Sequence, residues 1–349
     1  MWKFPPDFNP GAIPRSPDPR DIPFRAAGAP SVNWSEGHNV LKELGLTLPI
    51  KNQGSSGSCV GQAWAYLAEI KEFVENRSFT LLSPRDIYSR IWLPPDGGAY
   101  GYKGGSILAA RGVATDAFVS SYINGNPPTE DWMRRRDDSE IVTRNARIRK
   151  ASGYGHVTLT MDEIAYAIQQ QQGIVLGVHG TNEGWGDGFV RPPLPAERIW
   201  GHFLVATGFG TIGGKRYIYG PNSWSDQWGE NGYYFLSEDY FRQNYVFNPM
   251  VLMDLPNEYL EITRMKDLIK LADSPDQYLV ESGYRYRIPD LETKVYLRDR
   301  IKIILDTPRT VTREEFDRFQ DGGVFPSWPL HLKIGAIYPA LRDAFEQNA

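Results

Sequence analysis

A single cysteine in 349 residues leaves the chain no way to close a disulfide within itself, a composition that fits a reducing compartment. No apolar run approaches the roughly 20 residues that span a bilayer. The amino terminus, Met1-Trp2-Lys3-Phe4-Pro5-Pro6, lacks an apolar signal core. The absent signal core and the absent disulfides favour a cytoplasmic or virion-associated protein. Charge of one sign is scarce as well. Against 42 Asp and Glu stand 38 Lys and Arg, and a net charge of -4 gives no electrostatic case for nucleic acid or an anionic membrane as partner. No internal repeat occurs, which excludes a solenoid. What remains is a globular composition, long enough for one domain of about 200 residues and a smaller one.

The informative stretch is Lys51-Asn52-Gln53-Gly54-Ser55-Ser56-Gly57-Ser58-Cys59-Val60, which holds that one cysteine. From there Val60, Ala63, Trp64, Leu67, Ile70 and Val74 recur at helical period, so a buried helix is predicted to run from Cys59 to near Asn76, with Ser58 as its N-cap. A thiol at a helix N-terminus feels the partial positive charge of unpaired N–H groups, which favours thiolate. Gln53 lies on a glycine-rich loop that can fold its amide back beside the sulfur. A lone cysteine is by default an inert, small buried hydrophobe. Here, partners for its chemistry follow downstream.

Residues 1–30 carry Pro5, Pro6, Pro10, Pro14, Pro17, Pro19, Pro23 and Pro30, which exclude helix and central strand. Trp2, Phe4, Phe8 and Phe24 favour an extended arm laid over the body rather than a free tail. Ser83 and Pro84 begin a second helix. A glycine-rich loop is expected over 94–105, and a short helix over Ser106–Gly112. Arginines and acids interleave over 130–150 as in an ion-paired surface. A helix from Met161 to about Gln172 and a strand over 173–179 follow, and from Gly201 the signals are β. Gly208-Phe209-Gly210-Thr211-Ile212-Gly213 has the spacing of a dinucleotide fingerprint but leads through Gly214-Lys215 into another strand, so it reads as a hairpin turn. No cofactor and no metal site is expected.

Of five histidines, His202 stands out. It opens an apolar strand after a glycine, and the end of a later strand brings Pro221-Asn222-Ser223-Trp224. Adjacent antiparallel strands would set the Asn222 amide against the His202 ring. Cys59, His202 and Asn222 then supply nucleophile, base and orienting group.

These residues, with their surroundings, resemble the papain family of cysteine peptidases. The likeness rests on Ser56-Gly57-Ser58-Cys59-Val60 and on Lys51-Asn52-Gln53-Gly54. Val32-Asn33-Trp34, Leu82-Ser83, Gly104-Gly105 and Asn222-Ser223-Trp224 extend it, as does Trp228-Gly229-Glu230-Asn231-Gly232-Tyr233. It implies an α+β fold of two lobes, a helical one and a β-barrel-like one, and an endopeptidase acting on extended peptide or protein substrates through an acyl-enzyme. By the same resemblance Cys59 is a thiolate paired with a His202 imidazolium, with a thiol pKa of about 3–4. Asn222 orients the ring, Trp224 shields that bond, and Gln53 with the Cys59 N–H forms the oxyanion hole. Gly104 and Gly105 let a substrate backbone approach, and Phe203 narrows the non-prime pocket. Departures are equally visible. Ser56 stands where the family has a disulfide cysteine, Val60 replaces an aromatic residue, and only about 30 residues precede Val32 in place of a long helical propeptide. The arm is therefore expected to be a structural wrap rather than an inhibitor.

The domains expected are the arm at 1–30, a peptidase domain at 31–255 and an accessory β module at 256–349. The module's hairpin over Tyr278–Asp290, with Thr293 and a strand at Ile301–Ile304, resembles small modules appended to bacterial and phage proteins, and it carries no nucleophile–base set. It is expected to dock a partner. Two alternatives stay open: a catalytically silent papain-fold protein of a phage particle, and a cell-wall peptide hydrolase.

Overall fold

The computed structural model describes residues 3–4, 8, 10–16, 18, 21–24, 32–95, 97–253, 267–281, 284–288 and 308–324. The chain divides into two compact units, Met1–Asp254 and Leu255–Ala349.

The first unit is built around helix α2 (Cys59–Asn76), buried from Cys59 through Lys71 on every face. Such a helix needs a layer on each side. The short helices α1 (Val40–Leu44), α3 (Pro84–Tyr88), α5 (Glu130–Met133) and α6 (Glu140–Arg147) belong to the same unit, with α4 (Gly101–Ala110), α7 (Met161–Gln171) and α8 (Glu238–Arg242). Helix α3 starts as its sequence indicates, the Ser83 hydroxyl accepting from the Asp86 N–H. Ser58 behaves otherwise. It makes no cap bond to the α2 backbone; its Oγ lies 2.7 Å from the Ser56 Oγ and accepts from Gln62 Nε2. The one carboxylate deep in α2, Glu69, pairs with buried Lys51 at 2.6 Å and accepts the Leu82 N–H.

Two open sheets form the other layer. One has the order β4 (Gly153–His156), β11 (Val246–Met253), β5 (Ile174–Gly180), β7 (Trp200–Ala206). The second runs β2 (His38–Asn39), β8 (Gly208–Ile212), β9 (Lys215–Pro221), β10 (Tyr233–Ser237), β6 (Phe189–Val190). The chain passes from one to the other at Thr207, whose N–H donates to Tyr219. Neither sheet closes on itself among the described residues, so the barrel expected from the sequence is replaced by two open sheets. β8 and β9 form the hairpin expected around Gly213-Gly214. A two-residue pair, β1 (Ala12–Ile13) with β3 (Ala99–Tyr100), joins the arm to the body. The 130–150 stretch is ion-paired, Arg134 with Glu130, Arg136 with Asp138 and Arg144 with Glu140.

The helix expected from Ser106 begins five residues earlier, and this relocates Gly104 and Gly105. Both lie inside α4 and not on an open edge. A Cβ on Gly104 would sit 2.1 Å from Trp64 Cδ1, and one on Gly105 would sit 2.8 Å from the Tyr154 ring. Glycine is disfavoured in a helix by about 1 kcal/mol, and the packing of Trp64, whose Nε1 donates to the Gly101 carbonyl at 2.7 Å, overrides that preference.

In the second unit a five-stranded sheet has the order β15 (Arg309–Val311), β12 (Asp267–Leu271), β13 (Gln277–Glu281), β14 (Tyr284–Arg287), β16 (Gln320–Val324), with helix α9 (Arg313–Asp317). Ile269, Leu271, Val280, Val311 and Phe316 form its core. β13 and β14 are the hairpin read from the sequence; Thr293 and Ile301–Ile304 lie outside the described residues.

Gly104→Ala is expected to lower unfolding stability by about 1–3 kcal/mol through overpacking against Trp64. Urea unfolding followed by tryptophan fluorescence checks it; an unchanged midpoint would return Gly104 to an open edge.

Candidate active site

Packing of α2 against β7 brings the first residue of the helix to the strand that carries His202. Cys59 and His202 are both fully buried. The main-chain groups of Phe203, Val60 and Cys59 itself address the sulfur. His202 Nε2 donates to Asn222 Oδ1 at 2.7 Å. Asn222 Oδ1 also accepts the Ser223 N–H at 2.8 Å, which fixes the amide. A neutral ring that donates from Nε2 leaves Nδ1 proton-free, and Nδ1 has no hydrogen-bond partner among the described residues. β7, which carries His202, and β9, whose end is followed by Asn222, lie in different sheets. The two side chains meet because the sheets pack on each other, not because their strands are paired neighbours.

Trp224 stacks on the imidazole with centroids 4.6 Å apart at 25°. Trp185 meets the ring edge-on at 5.7 Å, and Trp200 and Trp228 complete the wall. Water is excluded, and the charged forms of both groups are disfavoured accordingly. Burial pushes the Cys59 thiol up. It holds the His202 imidazole down at about 3, opposed by the bond to Asn222. The ionised pair inferred from the sequence is thus not favoured in this closed form.

The arm lies against it. Gln53 is held by its Oε1, which accepts from Ser223 Oγ at 2.8 Å, and its Nε2 donates to the Pro10 carbonyl at 3.2 Å and to that of Ser56 at 2.7 Å. The Ala99 N–H donates to the Gly11 carbonyl at 2.8 Å. Gly11 has φ +99°, and a Cβ there would lie 2.1 Å from the Gly57 carbonyl oxygen. Upstream, Phe4 and Phe8 pack on Trp224 at 5.1 and 5.2 Å. Downstream, Arg15 exchanges two hydrogen bonds with Asn248, and the Phe24 N–H donates to His156. Trp2 lies outside the described residues. The described residues of the arm pack on the body as expected, and Pro10 and Gly11 lie against Gln53, Gly57 and Ala99.

Gln53, Cys59, His202, Asn222 and Trp224 therefore converge. Phe203, 1% exposed, turns its ring onto Gly101, where a Cβ would meet it at 2.4 Å. Gly104 and Gly105 do not join the site; the edge that pairs with an extended chain is Gly98–Ala99. The signal for that edge, Gly97-Gly98, lay beside the glycine pair chosen from the sequence. Among the described residues no group of three or more His, Cys, Asp or Glu side chains is placed to hold a metal ion, and no helix is long and apolar enough to cross a membrane.

A family model described as papain family cysteine protease matches residues 30–249, well over half of the chain. The chain belongs to the papain family. A cysteine protease of Blomia tropicalis is 27% identical over 192 residues, which are 53% of this chain and 56% of that protein. Papain of Carica papaya is 27% identical over 197 residues, 55% of this chain and 52% of papain. The chain thus spans about half the length of the curated relatives it matches. The solved structure of xylellain, a cysteine protease from Xylella fastidiosa, superposes with a TM-score of 0.61 at 19% identity, covering 73% of this chain and 100% of that one. That likeness is one of fold, and it places the papain-like fold on the first unit's mixture of helix and sheet.

The depressed His202 has a consequence for stability. Between about pH 6.5 and 3 the unfolded chain binds a proton that the folded one does not. The stability this histidine contributes is complete above about 6.5 and is lost as pH falls through that window. Urea midpoints measured from about pH 7.5 down to about 4 are expected to fall more steeply for the wild type than for His202→Gln; parallel slopes would show that the ring titrates normally in the folded protein.

Proposed function

We propose that this papain-family chain is a cysteine endopeptidase held latent by its own arm. The observation that carries the reading is the Pro10 carbonyl bonded to Gln53 Nε2, in a cleft that also contains Cys59 and the His202–Asn222 pair. A carbonyl in that position is where a scissile carbonyl would sit, with the Gln53 amide and the Cys59 N–H stabilising the developing oxyanion, about 3 kcal/mol per donor.

With the arm withdrawn, water enters the cleft and lowers the cost of charge on both partners. His202 Nδ1 takes the thiol proton, and the thiolate attacks the carbonyl carbon. The imidazolium then protonates the leaving amine, which frees an acyl-enzyme. The ring next removes a proton from water, hydroxide adds to the thioester, and the thiolate departs. Asn222 keeps the ring in register throughout.

The arm escapes cleavage because of its direction. A leaving amine must face the imidazole, so the substrate chain beyond the scissile bond lies on the Trp224 side. The arm places its N-terminal residues Phe4 and Phe8 there instead. It lies backwards. In this reading the two layers on either side of the cleft are the two lobes of the enzyme, and the unit from Leu255 is an accessory module that docks a partner.

Gly11→Val in the full chain is expected to expel the arm, since no side chain fits against Gly57 at positive φ. Labelling by an active-site-directed epoxide and cleavage of casein are both expected to rise at least about tenfold, about 1.4 kcal/mol of lost latency. Cys59→Ala in the same background abolishes both. Equal rates for Gly11→Val and wild type would remove the arm from any inhibitory role.

A further inference from the structure

The family's disulfide beside the nucleophile is impossible here, yet the loop of Gln53–Cys59 and the edge at Gly98 are held against each other. A Cβ on Gly57 would stand 3.0 Å from the Gly98 nitrogen and 3.3 Å from the Tyr88 hydroxyl. Beneath that contact is one carboxylate. Glu130 Oε2 accepts the Gly57 N–H at 2.7 Å. Its Oε1 accepts the Tyr88 hydroxyl at 2.7 Å, and the same hydroxyl oxygen accepts the Gly98 N–H at 2.8 Å. Arg134 Nε donates to Oε1 at 2.8 Å, and the Arg134 guanidinium rests on the Trp92 ring at 4.4 Å, so the carboxylate is aimed from behind. Tyr88 is fully buried.

We infer that Glu130 is a positioning residue of the cleft, tying the Gly57 amide of the nucleophile loop to the Gly98 amide of the substrate edge through the Tyr88 hydroxyl. The inference rests on the peptidase reading for its kinetic consequence, but not for the tie itself. The loop so held supplies both proposed oxyanion donors, Gln53 Nε2 and the Cys59 N–H. The edge so held is the one that pairs with an extended chain at Ala99. Hydrogen bonds to a charged acceptor are about twice as strong as neutral ones, which suits a single side chain that replaces a covalent link. Charge is also present for a second reason: the Glu130 carboxylate opposes ionisation of Cys59, so it can be sensed at the sulfur.

The test uses the full chain carrying Gly11→Val, with Glu130→Ala, Glu130→Gln and Tyr88→Phe added singly, at a temperature below every melting point. Glu130→Ala is expected to lower kcat/KM on an extended peptide about 10–100-fold, while alkylation of Cys59 by iodoacetamide, which needs neither oxyanion hole nor edge, changes by about twofold at most at a pH above the thiol's titration. Gln retains an acceptor for Gly57 and can donate to the Tyr88 oxygen, but its NH2 then faces the Arg134 Nε–H, so Glu130→Gln is expected to recover only part of the lost rate. Its alkylation profile is expected to shift to lower pH, because the carboxylate charge is removed from near the sulfur. Amide exchange read by mass spectrometry on the wild-type full chain and its Glu130→Ala variant is expected to quicken together over 53–58 and 97–100. Lost melting temperature with kcat/KM held within twofold overturns the inference, and so does quickened exchange in only one of the two segments. Should the Gly11→Val parent neither label nor cleave, the peptidase reading fails, and exchange alone then decides the tie.

Discussion

Everything in the first unit depends on burying one helix end against one strand. The sulfur of Cys59 reaches β7 only because α2 is enclosed on every side, with rings such as Trp64 and Tyr66 filling the space around it. That enclosure sets the cost of charge near the sulfur. Burial there disfavours the charged forms of both thiol and imidazole. In the latency proposed for this chain, desolvation counts as much as obstruction.

The arm occupies the features proposed to serve a substrate: an amide that donates to a carbonyl, an edge that accepts a strand, and a tryptophan wall that receives aromatic side chains. Its glycine at position 11 is required by close approach, because Gly11, Gly57 and Gly98 meet backbone to backbone. A proline on each side, Pro10 and Pro14, keeps that segment extended at little entropic cost. Without disulfides, the loops around the cleft are fixed by hydrogen bonds to buried or charged groups. Lys51 with Glu69 anchors the base of the nucleophile loop, and Glu130 with Tyr88 anchors its tip.

Much of the site could be read from the chain itself, because its chemistry depends on residue types in a fixed order. A lone cysteine opening an apolar helix, a histidine in an apolar strand and an asparagine before a tryptophan mark themselves as candidates, and the fold brings them together. Helix α2 ended where its periodicity ended, and the decoy glycine run proved a hairpin turn. Position in space was less legible. Gly104-Gly105 and Gly97-Gly98 are equivalent as letters, and only Trp64 and Tyr154 decide that the first pair is helix interior. Ser58 has the residue type of a cap yet bonds to Ser56 and Gln62, since its backbone is not set for capping.

The sequence by itself determined which side chains are candidates for the site, the extended nature of the arm and the absence of any internal disulfide, since these follow from residue identity and local period. Tertiary structure alone decided that His202 and Asn222 meet across two sheets, that Pro10 of the arm bonds to Gln53, and that Glu130 sits under Gly57 seventy-three residues away in the chain. Each of these depends on which distant surfaces pack together, and packing is set by the shape of the whole core rather than by any one segment.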